Sequence, residues 1–248
     1  MYQEERLEKM LQVLRQSEKL SSKEAMTQFN VSRDTIRRDF EILAKRQLAT
    51  RTHGGILLKH DLQAMESFKE RVTKANSEKV KIAKQTNQLL TPDKLCFFDV
   101  STTVLALAQI IDKKLTIYSH SLDNALLFAD RSEVDFHLLG GQFYSKNRFY
   151  FGFSEAEVLS KMSFDFVVIG AAGLKDGLVS YEDESDTYLK KQVMQNAKCK
   201  ILVAEKSKCY QTSHHILGNI NNFDYFVTNQ APDEAFKQLL APTLKVIY

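Results

Sequence analysis

SRDTIRRDFEIL, residues 32–43, sets Ile36, Phe40 and Leu43 on a single helical face, with Ser32 standing where an N-cap belongs. Arg33, Asp34, Thr35, Arg37 and Arg38 fall off that stripe and face outward. Just upstream, Ser21 and Glu24 have capping-box spacing, which predicts a second helix ending near Phe29. The joint between the two, Asn30-Val31, is short enough for a helix-turn-helix. Residues 3–17 carry Leu7, Met10, Leu11 and Leu14 in the spacing of an amphipathic first helix. After the central helix, LATRTHGGILL (48–58) alternates on both sides of Gly54-Gly55, a small hairpin signal.

Such an arrangement has a physical use. A helix entering the major groove reads bases from its N-terminal turns, where arginine pairs with guanine or holds a phosphate. The amides that start the helix attract the same anions, so Ser32 to Arg38 are candidates for DNA contact. A hairpin bearing Arg51, His53 and Gly54 suits a wing along the backbone or in the minor groove. The competing reading is that Arg37 and Arg38 only solvate the helix and pair with Asp34 or Glu41. Charge placement bears on the choice. Residues 1–58 hold 11 basic and 8 acidic residues, while the remainder holds 23 of each. All the excess positive charge thus lies in the first segment, as an anionic partner requires.

Composition narrows the rest. With 44% hydrophobic and 26% charged residues, the 248-residue chain is expected to fold rather than stay disordered. It has no apolar run of membrane-spanning length, and residues 1–20 are too charged for a signal peptide, so no membrane partner and a cytoplasmic location are expected. Cys96, Cys199 and Cys209 form no CxxC pair and read as passive thiols of a reducing compartment. There is no GxxxxGK[ST], no GxGxxG after a strand and no HExxH, and the adjacent His214-His215 would face opposite sides of a strand. No cofactor or metal ion is expected.

None of the nine glycines precedes Gly54. Residues 1–58 form the first expected domain, 59–90 a polar helical connector ended by Pro92, and 91–248 an α/β domain. In the last, short apolar strands alternate with helical stretches: residues 95–99, 115–119, 135–139, 165–169, 200–204, 224–228 and a closing KVIY. That alternation is the signature of a mainly parallel sheet covered by helices, whose ligand crevice lies at the strands' carboxyl ends. Asp99, followed by Ser101, Thr102 and Thr103 at the start of an apolar helix, has the makings of an anion and hydroxyl cradle. A plain helix cap by Ser101 or Thr102 is the simpler alternative. Ser119, Gly140, Gly141, Gly170 and Gly173 follow other strands, and Glu205, Lys206 and Lys208 follow another. In FYSKNRFYFGF (143–153) a packed or subunit-facing loop is expected, with Arg148 a weaker phosphate candidate.

The run VSRDTIRRDFEILAKRQLATRTHGG (31–55) closely resembles the N-terminal signature of DeoR-family transcription regulators. The resemblance continues through Phe68, Arg71, Glu78-Lys79 and Ile82-Ala83 into the α/β domain. It implies a winged helix-turn-helix that binds double-stranded operator DNA and a sensor domain similar to sugar-phosphate isomerases, binding a phosphorylated sugar without converting it. It also implies a repressor of sugar-metabolism genes, at least a homodimer, with no catalytic residues. The chain departs from the family pattern at Val100, where glycine is usual, at Ser119-His120 in place of Thr-Asn, and at Glu205 in place of aspartate. A Glu four residues before a Lys is usual near residue 187, where Thr187 precedes Lys191 and the acids stand at Glu182, Asp183, Glu184 and Asp186. If the Val100 position needs a positive φ, the phosphate cradle is strained and binding weakened. Two further readings stay open: an isomerase-like enzyme using Asp99, Glu205 and Lys208 for proton transfer, and a DNA-binding regulator with a degenerate pocket.

Overall fold

The computed structural model describes residues 3–17, 19–46, 48–58, 68–73 and 77–248. They divide into two compact units, Met1–Gln63 and Ala64–Tyr248.

The first unit runs α1 (Gln3–Ser17), β1 (Lys19–Ser21), α2 (Ser22–Phe29), α3 (Arg33–Lys45), β2 (Ala49–Arg51) and β3 (Gly55–Leu58). Ser21 and Glu24 form the capping box that opens α2. Asn30, at φ 50°, ends α2 in the left-handed conformation that asparagine tolerates, turning the chain into Ser32 and α3. Leu7, Met10 and Leu14 of α1 meet Phe29, Ile36, Phe40 and Leu43 in one core, with Ile56 of β3 beneath. The hairpin acquires a third antiparallel strand, β1, in the order β1-β3-β2. Three residues carry no periodicity, so β1 had no local signal.

A buried ion pair lies inside this core. Asp39 is fully buried on α3, and Arg6 of α1 grips it with Nε at 2.6 Å and Nη2 at 3.1 Å. Gln3 Nε2 donates a third bond at 3.1 Å. The paired geometry satisfies both carboxylate oxygens and fixes the crossing of α1 and α3.

The second unit begins with α4 (Phe68–Thr73) and α5 (Ser77–Leu89). Then follow β4 (Lys94–Phe98), α6 (Thr102–Ile110), β5 (Leu115–Ser119), α7 (Leu122–Phe128) and β6 (Val134–Leu138). A hairpin of β7 (Gln142–Tyr144) and β8 (Phe149–Phe151) leads to α8 (Phe153–Ser160) and β9 (Phe166–Gly170). After β10 (Leu178–Tyr181) and α9 (Glu184–Gln195) come β11 (Cys199–Val203), β12 (His215–Asn219), β13 (Tyr225–Val227), α10 (Glu234–Lys237) and β14 (Lys245–Ile247). Seven strands make one sheet, ordered β14-β13-β11-β9-β4-β5-β6, with every pairing parallel. The chain builds outward from β4 to β6, returns to β9 beside β4, and builds outward the other way. The order therefore reverses between β4 and β9, and such a switch point opens a crevice at the carboxyl ends.

Two expectations need correction. An α/β domain starting at residue 91 starts too late: Ile82, Ala83 and Thr86 of α5 are buried, and the first two pack with Cys96, Phe98 and Val168 of the sheet. Of the expected connector, residues 59–67 and 74–76 lie outside the described residues. The aromatic stretch 143–153 packs as expected, with Phe149 and Phe151 in the core of a hairpin, whereas Arg148, the weaker phosphate candidate, has φ 57° and pairs with Asp123 at 2.8 and 3.0 Å. Cutting the buried tie in the first unit tests how that unit is held. Arg6→Ala should cost the α1–α3 region about 3–5 kcal/mol by stranding the Asp39 carboxylate, read as lost hydrogen-exchange protection of α1 and α3 in the full chain.

Candidate functional site

On the first unit, Arg33, Asp34, Arg37 and Arg38 stand exposed along the outer face of α3. The Ser32 hydroxyl caps the helix by accepting from Thr35 N–H at 3.3 Å and lies 3.0 Å from Thr35 Oγ1. Neither Arg37 nor Arg38 pairs with Asp34 or Glu41; the Glu41 carboxylate is held by Lys45 at 3.1 Å. Among the described residues Arg33, Arg37, Arg38 and Arg51 make no ion pair, so the pairing alternative for Arg37 and Arg38 fails. Arg51, His53 and Gly54 are exposed at the hairpin tip. The face is a run of exposed guanidinium groups, Arg37 and Arg51 acting on Glu41 only through space, on a helix whose opposite side is fixed in the core.

In the second unit the chemistry gathers at the switch point. Asp99 follows β4 and is 1% exposed. Its Oδ2 accepts from Gly170 N–H of β9 at 2.9 Å and its Oδ1 from Val100 N–H at 2.6 Å, so the carboxylate clamps the two strand ends together. A Cβ on Gly170 would lie 2.3 Å from Ser101 Oγ, which explains why the neighbouring strand ends in glycine. Lys190, 1% exposed on α9, sets its ammonium 3.1 Å from Asp99 Oδ1 and 2.5 Å from Asp186 Oδ2. The same ammonium lies 3.6 Å from the centre of the Tyr181 ring. Tyr181 donates its hydroxyl to Gly170 O. His120 Nε2 lies 2.9 Å from Asp186 Oδ1 and 3.9 Å from Asp99 Oδ1, its ring stacked on Phe97 and edge-on to Phe149. Asn124 donates to Asp99 O and to Ser119 Oγ.

Burial pushes the Asp99 carboxyl above its ordinary value, with Lys190 pulling it partly back. Burial opposes ionisation of Asp186 too, yet Lys190 and His120 together hold it below the ordinary value. The Tyr181 hydroxyl is driven well upward by burial and the two carboxylates, which keeps it a donor. Arg71 of α4 joins from the side: burial lowers it, while Asp99, Glu182, Asp186 and Glu205 act in the opposite direction, and its Nη2 donates to Asn147 Oδ1 at 2.9 Å. Asp99, His120 and Asp186 offer ligand atoms within 4.8 Å of one another, a spacing fit for a metal ion. Lys190 already places a cation against both carboxylates, so the set does not fit a resident metal.

Not every expected residue comes to this place. Asp99, Ser101, Thr103, Ser119, Gly170 and Glu205 do, Glu205 accepting from Thr103 Oγ1 at 3.5 Å and lying 3.8 Å from Lys79. Thr102 is buried beside them in the first turn of α6, where Ser101 is also the helix cap. Gly140 and Gly141 follow the edge strand β6, and Gly141, at φ 110°, lies against the Phe151 backbone. Gly173 exchanges backbone bonds with Ser180. Lys206 N–H donates to Asn229 and Lys208 Nζ to Gln211. The lysine on Asp99 is Lys190, which the sequence reading left out along with Asn124 and Tyr181, while His120 and Asp186 entered it only as departures from the family pattern. The signal existed: Asp186 and Lys190 are four apart on a helix, so the acidic partner was not displaced but sits one register earlier than Thr187 and Lys191. Val100 is corrected as well. It takes no positive φ and packs 7% exposed in the core, so it does not strain the loop.

The family profile described as the DeoR-like helix-turn-helix domain matches residues 6–61, and that of the DeoR C-terminal sensor domain matches residues 74–230. The HTH-type transcriptional repressor GlcR of Bacillus subtilis is 33% identical over 241 residues, covering 97% of this chain and 93% of its own. The glycerol-3-phosphate regulon repressor of Escherichia coli is 26% identical, covering 97% and 96%, and the deoxyribose operon repressor of Escherichia coli 28%, covering 99% and 98%. Among solved structures, ribose 5-phosphate isomerase A of Methanocaldococcus jannaschii overlays 53% of each chain at 14% identity and a TM-score of 0.39. So low a score carries no functional weight.

The buried lysine makes a direct prediction. Lys190→Met leaves the Asp99 and Asp186 carboxylates without their cation, at a cost of about 3–5 kcal/mol to the second unit. Removing the lysine raises both folded-state carboxyl values. A raised carboxyl value means stability retained in acid and lost as pH rises through it. The deficit in chemical denaturation should therefore be smallest in acid below the ordinary Asp value of 3.8, where both carboxyls are protonated, and widen toward neutral pH.

Proposed function

The chain belongs to the DeoR family of transcription regulators, and on that basis we propose that it is a sequence-specific repressor of sugar-metabolism genes controlled by a phosphorylated sugar. The observation that carries the DNA-binding half is the outer face of α3, with three unpaired arginines on a capped helix whose buried side is locked by Arg6–Asp39. Ser32, Arg33, Asp34, Thr35, Arg37 and Arg38 enter the major groove, and Arg51, His53 and Gly54 of the hairpin lie along the backbone or minor groove. Operators read by such helices are two-fold, so the working species is a homodimer or higher homo-oligomer.

The effector half rests on the switch-point cluster and on relatives named for glycerol 3-phosphate, a polyol phosphate, and for the sugar deoxyribose. Buried carboxylates, an ammonium and hydroxyl groups at the ends of β4, β5 and β9 suit the hydroxyls of a sugar. The free amides at the start of α6 suit its phosphate. An enzymatic role is less well supported. Lys208, one of three groups it needs, bonds Gln211, and the Lys190 ammonium is locked between two carboxylates.

Selecting binding sites from a random duplex library with the full chain supplies an operator against which variants can be measured. Arg37→Ala or Arg38→Ala should weaken that operator roughly ten- to a hundredfold with unchanged unfolding temperature. A base-reading arginine loses specificity at one position, whereas a phosphate contact weakens all sequences alike and lowers the salt slope by about one. Unchanged affinity in both variants would overturn the assignment of α3.

A further inference from the structure

α9 turns Asp186, Leu189, Lys190 and Val193 into the fold and leaves Glu184, Tyr188, Lys191 and Gln195 exposed on its opposite side. At 3.6 residues per turn these four fall within about 60° of arc, a single straight stripe. Glu184 and Lys191 stand about 10 Å apart along the axis, and Tyr188 lies about half a residue from their midpoint. Among the described residues neither Glu184 nor Lys191 forms an ion pair or a hydrogen bond. Tyr188 is 43% exposed, and beside it stands Phe153, the first residue of α8, at 74%. Their rings meet edge-on with centroids 6.0 Å apart, and Phe151 backs Phe153 at 5.1 Å. Exposed aromatic rings ordered against one another, flanked by unspent charges, have the make-up of an interface: an aromatic centre and a charged rim.

We infer that the outer face of α9, together with Phe153, is the two-fold contact between two copies of this chain, the helices running antiparallel over Tyr188. A closed dimer sets one patch against itself, so the patch must complement its own reverse. An antiparallel pairing centred at Tyr188 brings Glu184 opposite the partner subunit's Lys191, and by symmetry does so twice. It also lays the N-terminal end of each helix over the C-terminal end of the other, a favourable order of dipoles. A parallel pairing sets Glu184 against Glu184 and Lys191 against Lys191, which repels. This self-complementary charge order is what singles out a second copy as the occupant. The inference rests on the homo-oligomeric working species proposed above and deepens it by placing the contact in the second unit. Because Asp186 and Lys190 leave the inner side of the same helix, the contact and the switch-point cluster share one element.

Sedimentation equilibrium of the full-length chain reads the contact directly. The unaltered protein should sediment as a dimer or a multiple of one. Glu184→Lys alone and Lys191→Glu alone each place like charges across the axis twice. Either should lower the sedimenting mass, with the dissociation constant of the contact raised at least about tenfold. A chain carrying both substitutions regains opposite charges and should recover most of the assembly, a rescue that mere damage to the helix does not allow. Phe153→Ser should loosen the contact to a similar degree with no charge altered. Masses unchanged by both single reversals, or a double variant no tighter than the singles, would overturn the inference while sparing the homo-oligomer. Should a reversal disturb α9 itself, read by far-ultraviolet circular dichroism, Phe153→Ser lies outside that helix and decides alone: a mass it leaves unchanged overturns the inference. An unaltered chain that sediments as a monomer overturns the homo-oligomer and this inference with it.

Discussion

The Lys190 ammonium, held between the Asp99 and Asp186 carboxylates, ties together parts of the second unit that are distant in sequence. Asp99 lies at the end of β4 and, through Gly170 N–H, holds the end of β9. Asp186 and Lys190 come from α9, and Tyr181 from the end of β10 reaches both Gly170 and the ammonium. A parallel sheet whose strand order reverses opens a crevice at that reversal, and the groups that meet there come from β4, β9, β10 and α9. Two acids alone would repel each other there in low dielectric. One buried cation turns the repulsion into a cross-link between the strand ends and α9.

The first unit solves a similar problem on a smaller scale. A helix that must present arginines outward needs its inner face fixed, or the outward groups lose their geometry. Apolar packing by Ile36, Phe40 and Leu43 supplies most of that, and the Arg6–Asp39 pair sets how α1 crosses α3. In the first unit a buried ion pair and in the second a lysine between two carboxylates anchor the frame, and the polar surface beside each is left for other molecules. These pairs add orientation, since well-packed apolar groups could supply as much stability.

What the sequence disclosed follows the range of the physics involved. The caps at Ser21 and Ser32, the inward stripe of α3 and the strand–helix alternation after Pro92 are local, and each was legible. Asp99, Ser101 and Thr103 were legible too, because a strand followed by small hydroxyl residues and a helix is a local pattern. The strand order was not, since it depends on which strand returns beside β4. Asp39 was overlooked because a charge on an apolar face reads as solvated until its partner, 33 residues away, is known. His120 showed only as a departure from a family pattern, its meaning residing in Asp186, 66 positions later. Val100 misled for the opposite reason. A residue's preference for glycine was inferred from a pattern, while the backbone here adopts an ordinary φ.

A second concavity makes the central claim open to contradiction. A cleft of about 250 Å³ lies along the other face of α9, lined by Lys191, Met194, Lys200, Leu217 and Phe223 among others. It holds lysines and apolar groups but no buried network. Hydrogen-exchange mass spectrometry of the full chain, with and without a saturating sugar phosphate, distinguishes the two places. The account predicts new protection in residues 96–104, 117–124, 168–173 and 181–190, the segments that meet at the switch point. Protection confined to residues 191–200 and 215–223 would contradict it, by placing the ligand in the cleft rather than at Asp99 and Lys190.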